Sequence, residues 1–529
     1  MNNSELQRAI TRENEQWKTE NKIQRLWDSD ATLWTNHDEA QWTGWLTVIT
    51  AELNEISRIE KLAHDIKTTG FKHIVLLGMG GSSLCPDMMT KIFGEIKDYP
   101  RLHILDSTDP DQIFRLENNI DLNKTIFIVS SKSGSTLEPN IFKDYFYSRL
   151  QIVLGKKDVG DRFIAITDPN TTLDALAKKE NFKAIFYGIP SIGGRYSALS
   201  NFGMVPAGLM GIDIKKFLQH AELSQHNNDN SGVLLGITLG ICAKNNKDKV
   251  TLILSPEIQP LGAWLEQLLA ESTGKMGKGL IPVDNEPLGS PDVYGDDRVF
   301  VYIRLENMFD AEQDRRMTLL EKAGHVVVRL SVTNKYALGA ELFRWEIATA
   351  VAGSILGINP FNQPDVEASK VQALHNISAV SPNITPPPSF DINTLLTLLS
   401  SIKPGDYVDI CAFIEMSDEH RAWLQKIRTV IRDTKKVATC VGFGPRFLHS
   451  TGQLYKGGPN TGVFLQITAD HNHDIHVPHQ TYTFGAVINA QAQADYEVLL
   501  QRKRRILRIH VGHNILTGLQ QLCEFLQQG

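Results

Sequence analysis

Short runs of apolar residues recur along the first part of the chain and alternate with segments of helical spacing. The runs are 72–77, 103–105, 125–129, 162–166 and 183–186. Such a run, without polar alternation, is typical of a strand that is buried on both faces. Because the rhythm of strand, loop and helix repeats, the pattern predicts a parallel sheet covered by helices on both faces.

The same rhythm starts again after a polar loop at 225–231. Residues 232–243 are predicted to form a buried helix, and strands are predicted at 250–254, 298–303 and 325–330. The most apolar stretch, 347–358, is too short for a membrane span, which needs about 20 residues. It therefore predicts a second buried helix, and the two α/β units lie in tandem.

A proline-rich break at 381–389 predicts a linker, because proline lacks a backbone N–H and disfavours helix in the residue before it. Beyond it, a strand at 407–414, a helix near 418–433 and a strand at 437–441 predict a β-α-β unit. The basic run at 502–505 is interpreted as a solvated helix end rather than an anion-binding patch. The predicted division is an N-terminal helical arm (1–45), two α/β domains (46–220 and 221–380) and a smaller C-terminal α/β domain (390–529).

Composition narrows the class of protein. The chain has 529 residues and a net charge of −6, which argues against a general nucleic-acid binder. Its five cysteines include no CxxC pair, so they are expected to be reduced thiols of a cytoplasmic protein. The first residues contain no apolar segment of the signal-peptide kind, and no membrane association is expected.

Two loops at strand ends carry candidate phosphate-binding chemistry. In GMGGSS (78–83), glycines precede a predicted helix, so backbone N–H groups can face an anion. A dinucleotide loop is disfavoured because Ser83 holds the third glycine position, while a tight turn remains an alternative. In SSKSGST (130–136), five hydroxyls follow a strand. One would suffice to cap a helix, so five favour phosphate.

Two further segments offer charged groups. In GGRYS (193–197), Arg195 lies beside glycines and can stabilise an oxyanion, unless it forms only a loop salt bridge. Gln267 and Glu271 are four residues apart and share one helix face, with the helix predicted to end at Gly274. Glu271 can serve as a proton-transfer base if burial raises its pKa; an exposed helical glutamate is the alternative.

These four segments, in this order, together with NPFNQPDVEASK (359–370), resemble the glucose-6-phosphate isomerase family over about 45–375. The resemblance implies two sugar-isomerase (SIS) domains with the active site between them. It also implies roles in substrate binding, with the phosphate held by Ser82, Ser131, Ser133, Thr136 and Gln363 and further contacts from Gly80, Gly81, Lys132, Gly194 and Gln267. In catalysis it implies Arg195 toward the enediolate, Glu271 as base and Lys370 in ring opening.

One feature departs from the family. Its common members carry a ring-opening histidine between the Glu and Lys motifs, often contributed by the partner subunit, but 331–346 has none. His325 is predicted to lie in the core. His449 is the candidate replacement, unless it only orders a loop. It belongs to 442–462, which resembles the isomerase half of bifunctional transaldolase/glucose-6-phosphate isomerases; a full transaldolase barrel of about 250 residues would not fit as well.

The resemblance implies interconversion of glucose 6-phosphate and fructose 6-phosphate through an enediol, a reaction of glycolysis and gluconeogenesis. It implies no cofactor and no metal, and a homodimer. A dual isomerase that also accepts mannose 6-phosphate and a non-catalytic sugar-phosphate sensor remain alternatives. So does a pure interaction role for 390–529.

Overall fold

The computed structural model describes residues 3–225, 230–306, 308, 310–366, 372 and 392–528. The proline-rich break at 381–389 and Lys370 lie outside these ranges, so the predictions made for them stay predictions. Within the described ranges the chain forms three parallel sheets covered by helices. The predicted fold class, α/β with parallel sheets, is confirmed.

The first sheet has five strands in the order β2-β1-β3-β4-β5, all parallel. They are β1 (His73–Gly78), β2 (Arg101–Leu105), β3 (Thr125–Ser130), β4 (Phe163–Thr167) and β5 (Ala184–Tyr187). Each lies within two residues of a predicted run, because these apolar side chains are the ones the sheet buries.

Helices precede and surround this sheet. They are α1 (Asn3–Thr19), α2 (Lys22–Trp27), α3 (Val48–Thr69), α4 (Leu84–Phe93), α5 (Pro110–Asn118), α6 (Leu137–Leu154), α7 (Thr172–Lys179), α8 (Asn201–Leu209) and α9 (Ile214–Gln225). The N-terminal helices bury Leu6, Ile10 and Trp17 in the same core cluster as the sheet residues Ile74 and Ile126. The arm is therefore packed onto the body of the molecule.

The second sheet has the order β7-β6-β8-β9. Its strands are β6 (Lys249–Leu254), β7 (Ile281–Val283), β8 (Arg298–Leu305) and β9 (Val326–Val332), and its helices are α10 (Ser231–Lys244), α11 (Leu261–Thr273), α12 (Ala311–Lys322) and α13 (Leu338–Leu356). Strand β7 was not predicted, since three residues around Pro282 give no recognisable run. The apolar stretch at 347–358 lies mostly in α13, which is buried. None of the described helices is long and apolar enough to cross a membrane.

The third sheet lies in the C-terminal region and has the order β11-β10-β12-β13. Its strands are β10 (Tyr407–Phe413), β11 (Ala438–Phe443), β12 (Gly462–Thr468) and β13 (Arg505–His510). Its helices are α14 (Ile392–Ser400), α15 (Asp418–Lys435), α16 (Gly452–Gly457), α17 (Phe484–Gln501) and α18 (Ile515–Gln528). The predicted β-α-β unit is thus half of a four-stranded sheet.

The basic run after α17 is not a solvated helix end, and that prediction is wrong. Arg504 is buried and donates to the carbonyl oxygens of Lys456 and Gly458, both at 2.8 Å. Arg505 donates to both carboxylate oxygens of Asp406 at 2.7 and 2.8 Å. Because burial of a cation requires such partners, the run ties β13 to the rest of the C-terminal sheet.

His325 was predicted to lie in the core and is half-buried at the edge of the second sheet. Its ring packs edge-on against Tyr294 and Phe300, and its Nε2 lies 3.2 Å from the carbonyl oxygen of Pro291. Burial lowers the pKa of His325, with the Pro291 carbonyl opposing this effect. These contacts are those of a packing residue.

Candidate active site

The candidate site lies at the carboxyl end of β1, where the strand order of the first sheet reverses. Strand β2 lies on one side of β1 and β3 lies on the other. Gly78 and Ser130 are register partners at the carboxyl ends of β1 and β3, so the two predicted phosphate loops leave the sheet side by side. Open α/β sheets bind ligands in the crevice at such a switch point.

The glycines of the first loop allow other segments to approach it closely. Gly80 has a φ of +54°, and a Cβ there would lie 2.6 Å from the carbonyl oxygen of His449. A Cβ on Gly81 would lie 2.0 Å from the carbonyl oxygen of Gly194. A side chain at either position would therefore clash with a neighbouring backbone. These close contacts join the turn to the 193–197 loop and to the C-terminal region. Ser82 closes the turn and is buried.

The second loop presents hydroxyls at the start of α6. Ser131 is buried and its Oγ donates to Thr136 Oγ1 at 3.3 Å, whereas Ser133 is exposed. Thr136 holds the N-cap position, yet its side chain accepts no cap hydrogen bond. The side chain of Thr136 therefore does not cap α6. The first backbone N–H groups of this helix can thus face an anion.

Lys132, in the same loop, is turned toward the protein. Its Nζ forms an ion pair with Asp168 and lies 3.4 and 3.3 Å from the carbonyl oxygens of Ile189 and Pro190. Much of its charge is therefore already compensated within the described part of the chain.

Arg195 joins three of the predicted segments. It is buried, with Nε donating to Ser272 Oγ at 2.7 Å and Nη1 donating to Gln363 Oε1 at 3.0 Å. Nη2 donates to the carbonyl oxygen of Pro360 at 2.7 Å, and Nη1 lies 3.4 Å from Glu271 Oε1. A guanidinium held on several sides is a fixed cation beside a carboxylate.

Gln267 and Glu271 share one face of α11, as predicted, and the helix ends before Gly274. Gln267 Nε2 donates to Glu271 Oε2 at 3.0 Å and to the carbonyl oxygen of His449 at 2.9 Å. The carboxylate of Glu271 is therefore held between an amide and a guanidinium, with its side chain 14% exposed. This partial exposure leaves it accessible to a small ligand.

His449 lies against the phosphate loops although it is far from them in sequence. Its Nε2 is 2.9 Å from Glu138 Oε1, and the same oxygen accepts a hydrogen bond from Gln491 Nε2 at 2.7 Å. An ionised carboxylate can only accept, so this contact requires a proton on Nε2 of His449 when Glu138 is ionised. Glu138 was not predicted as a site residue, because a glutamate in the first turn of a helix is common.

The loop that carries Gln363 is held by a buried lysine. Lys275 Nζ donates to the carbonyl oxygen of Asn359 at 2.6 Å. Burial, and then the nearby Arg195, lower the pKa of Lys275 well below its usual range. Gln363 is thereby positioned beside Arg195, whereas Lys370 of the same motif lies outside the described residues.

The crevice, its hydroxyl loop and its paired arginine and glutamate place the chain among α/β proteins with a candidate anion-binding site. Comparison with known proteins narrows this class. The family model for phosphoglucose isomerase matches residues 54–283. Over 371 residues the chain is 30% identical to the glucose-6-phosphate isomerase of Prochlorococcus marinus strain MIT 9211, which covers 60% of this chain and 69% of that protein.

A probable glucose-6-phosphate isomerase of Methanococcus maripaludis is 28% identical over 370 residues, 62% of this chain and 82% of that protein. Among solved structures, a hypothetical protein from Thermus thermophilus matches with a TM-score of 0.60 at 24% identity, covering 71% of this chain and 97% of that one. A glucose-6-phosphate isomerase from Chlamydia trachomatis matches at 0.51 and 20% identity, covering 69% and 78%. The chain belongs to the glucose-6-phosphate isomerase family.

Proposed function

We propose that this protein interconverts glucose 6-phosphate and fructose 6-phosphate. The observation that carries the proposal is the setting of Glu271, with Arg195 Nη1 at 3.4 Å and Gln267 Nε2 at 3.0 Å. A base beside a fixed cation is what an enediol proton transfer needs, because negative charge develops on the sugar oxygen as the proton leaves.

The substrate phosphate is assigned to the switch-point crevice. Ser82, Ser131, Ser133 and Thr136 supply hydroxyls there, and the uncapped N-terminus of α6 supplies N–H groups and the positive end of its dipole. Gly80, Gly81 and Gly194 allow the loops to close around it. Because Nζ of Lys132 already pairs with Asp168, we expect Lys132 to contribute less than the other groups to binding of the phosphate.

The chemical step is a proton transfer between adjacent carbons. Glu271 removes the proton from carbon 2 of the open-chain aldose, and the electron pair forms the enediolate. The hydroxyl proton moves from oxygen 2 to oxygen 1, and the same carboxyl returns the abstracted proton to carbon 1, which gives the ketose. Arg195 faces the oxygen on which charge develops, Gln267 orients the substrate, and Gln363 joins Arg195 to the phosphate side.

Ring opening is assigned to Lys370 and His449. Glu138 holds the imidazole of His449 through Nε2, and in the neutral ring with its proton on Nε2 the acceptor nitrogen is Nδ1. In this proposal the C-terminal region of the same chain supplies the group that common family members often take from a partner subunit. The contact between Gln267 and the His449 carbonyl supports this proposal.

The organisation of the protein is part of the same proposal. We propose the domain division at 46–220, 221–380 and 390–529, with the last corresponding to the C-terminal part of the isomerase half of bifunctional transaldolase/glucose-6-phosphate isomerases. We also propose a cytoplasmic homodimer that acts on a sugar phosphate in glycolysis and gluconeogenesis, with no nucleic-acid partner and no cofactor.

The alternatives differ in what they require. A sensor needs the phosphate crevice but not a glutamate paired with a buried arginine, so the contact between Glu271 and Arg195 favours an enzyme. A dual phosphoglucose and phosphomannose isomerase would use the same residues. A pure interaction role for 390–529 is disfavoured by the contacts of His449 with Gln267 and Glu138.

A coupled assay tests the proposal: fructose 6-phosphate is supplied and glucose 6-phosphate is detected, with mannose 6-phosphate as a second substrate. Turnover of fructose 6-phosphate alone supports the assignment, and turnover of both supports the dual isomerase. Binding of either sugar phosphate by calorimetry without any turnover would favour the sensor. Deletion of 390–529 that leaves turnover intact would overturn the role of His449.

A further inference from the structure

A second group of chemically active side chains joins the start of α5 to the C-terminal region. Asp109 and Asp111 are at the start of α5, and His471 follows β12. One potential ligand atom from each of the three lies within 4.8 Å of the others. Asp109 Oδ2 and His471 Nδ1 are 3.5 Å apart, a spacing that two ligands of one metal ion adopt.

The polar atoms of this group are buried and incompletely paired. Asp109 is 1% exposed, and among the described residues its Oδ2 accepts no hydrogen bond. The Nε2 of His471 is likewise buried without a described hydrogen-bond partner. Buried polar groups are normally satisfied, so this carboxylate oxygen, which has the imidazole Nδ1 of His471 at 3.5 Å, is available to a ligand.

The remaining lone pairs of the carboxylates are held by the protein. Asp109 Oδ1 accepts from the backbone N–H of Gln112 at 3.0 Å. Asp111 accepts from the backbone N–H groups of Asn472 and His473 at 2.9 and 3.0 Å, and its Oδ1 also lies 2.6 Å from Nδ1 of His473. Metal-binding carboxylates are oriented by such outer hydrogen bonds, which here join α5 to the loop after β12.

The place of this group in the C-terminal sheet also fits a ligand site. β10 and β12 are neighbours at the switch point of the C-terminal sheet, where ligands are expected.

We propose that Asp109, Asp111 and His471 bind a divalent transition-metal ion of the Zn²⁺ type. A set of one imidazole and two carboxylates suits zinc better than magnesium, which prefers oxygen ligands and water. The ion would fasten α5 to the C-terminal region. Thr108, next to Asp109, donates to Gln491, and Gln491 donates to Glu138. The proposed site is therefore adjacent in sequence to the hydrogen-bond network that contacts His449.

The test is titration of the full-length, chelator-treated protein with Zn²⁺ by calorimetry, and with Co²⁺ by absorption spectroscopy. We expect one equivalent to bind and the thermal midpoint to rise with Zn²⁺. His471→Ala and Asp109→Asn should weaken binding at least about tenfold. Asparagine keeps the cap acceptor for Gln112, so Asp109→Asn removes the anionic ligand with the least disturbance, and circular dichroism checks its fold.

His513→Ala is the matched control, since His513 is an exposed histidine at the same end of the C-terminal sheet and pairs with Asp470. It should leave the affinity unchanged. The proposal is overturned if the wild type binds neither ion, or if His513→Ala removes binding while His471→Ala and Asp109→Asn retain it. This test does not depend on isomerase activity.

Discussion

The first and the C-terminal sheets are wound alike, yet their switch points carry different chemistry. In each, the first strand lies between the second and the third. The loops after β1 and β3 carry glycines and hydroxyls, whereas the loops after β10 and β12 carry Glu415 and His471. We propose that the shared winding provides both crevices and that the composition of their loops determines whether an anion or a cation binds.

The two regions also meet each other. His449, from the C-terminal region, reaches the phosphate side through Glu138, and α5 of the first sheet reaches the C-terminal crevice through Asp111. A residue from each region thus contacts the crevice of the other. Mutations that alter one crevice and leave the other intact therefore give the most information about the role of each.

The largest effect is expected for Glu271→Gln, which keeps the shape of the side chain and removes the base. We expect kcat to fall by about 10² to 10⁴-fold, with KM for fructose 6-phosphate little changed. Steady-state kinetics measure both. Glu60→Gln, at an exposed position of α3, is the control and should behave as wild type.

A smaller effect is expected for Glu138→Gln, because Glu138 acts through His449. Loss of the carboxylate removes the partner that fixes the imidazole, so kcat should fall by about 10 to 100-fold and the pH profile should shift. Measurement of kcat against pH distinguishes positioning from simple destabilisation. An unchanged profile together with a lowered thermal midpoint would mean that Glu138 is only structural.

Glycine substitutions test how closely the loops must pack. Gly81→Ala places a Cβ 2.0 Å from the carbonyl oxygen of Gly194, so we expect a loss of about 1 to 3 kcal/mol in the free energy of unfolding. Gly194→Ala meets no atom within 4 Å and should be close to neutral for stability. Denaturant titration compares the two, and equal stabilities would contradict the packing.

The smallest expected effect on activity comes from Glu52, a buried carboxyl of α3. Burial raises its pKa to about 8, although the backbone N–H of Asn201 opposes this. Its protonated form is favoured in the folded state, so stability declines as the pH rises from about 4.5 to about 8. Glu52→Gln should gain stability on the order of a few kcal/mol at pH 8 and nothing at pH 4.

Thermal or denaturant unfolding of wild type and Glu52→Gln at several pH values checks this prediction. The difference in stability between the two should grow with pH, whereas kcat at neutral pH should be unchanged. A constant difference across pH 4 to 8 would show that Glu52 does not titrate in this window.

Much of the fold could be predicted because buried parallel strands are apolar runs. Strand β7 was not predicted because three residues are too few to show a hydrophobic pattern. The environment of the basic run at 502–505 was predicted wrongly because its carbonyl and carboxylate partners come from distant segments. The four segments with candidate site residues could be identified because each has a distinctive local composition. Glu138 and the partners of His449 were not, since a contact across 311 residues leaves no local pattern.

The central claim is that Glu271 transfers the proton between carbons 1 and 2. The most direct test follows fructose 6-phosphate in D₂O by proton NMR, with wild type and Glu271→Gln at equal concentration. We expect deuterium at the reacting carbons with wild type and none above background with the variant, although both bind the sugar phosphate. Equal deuterium uptake by the two proteins would contradict it.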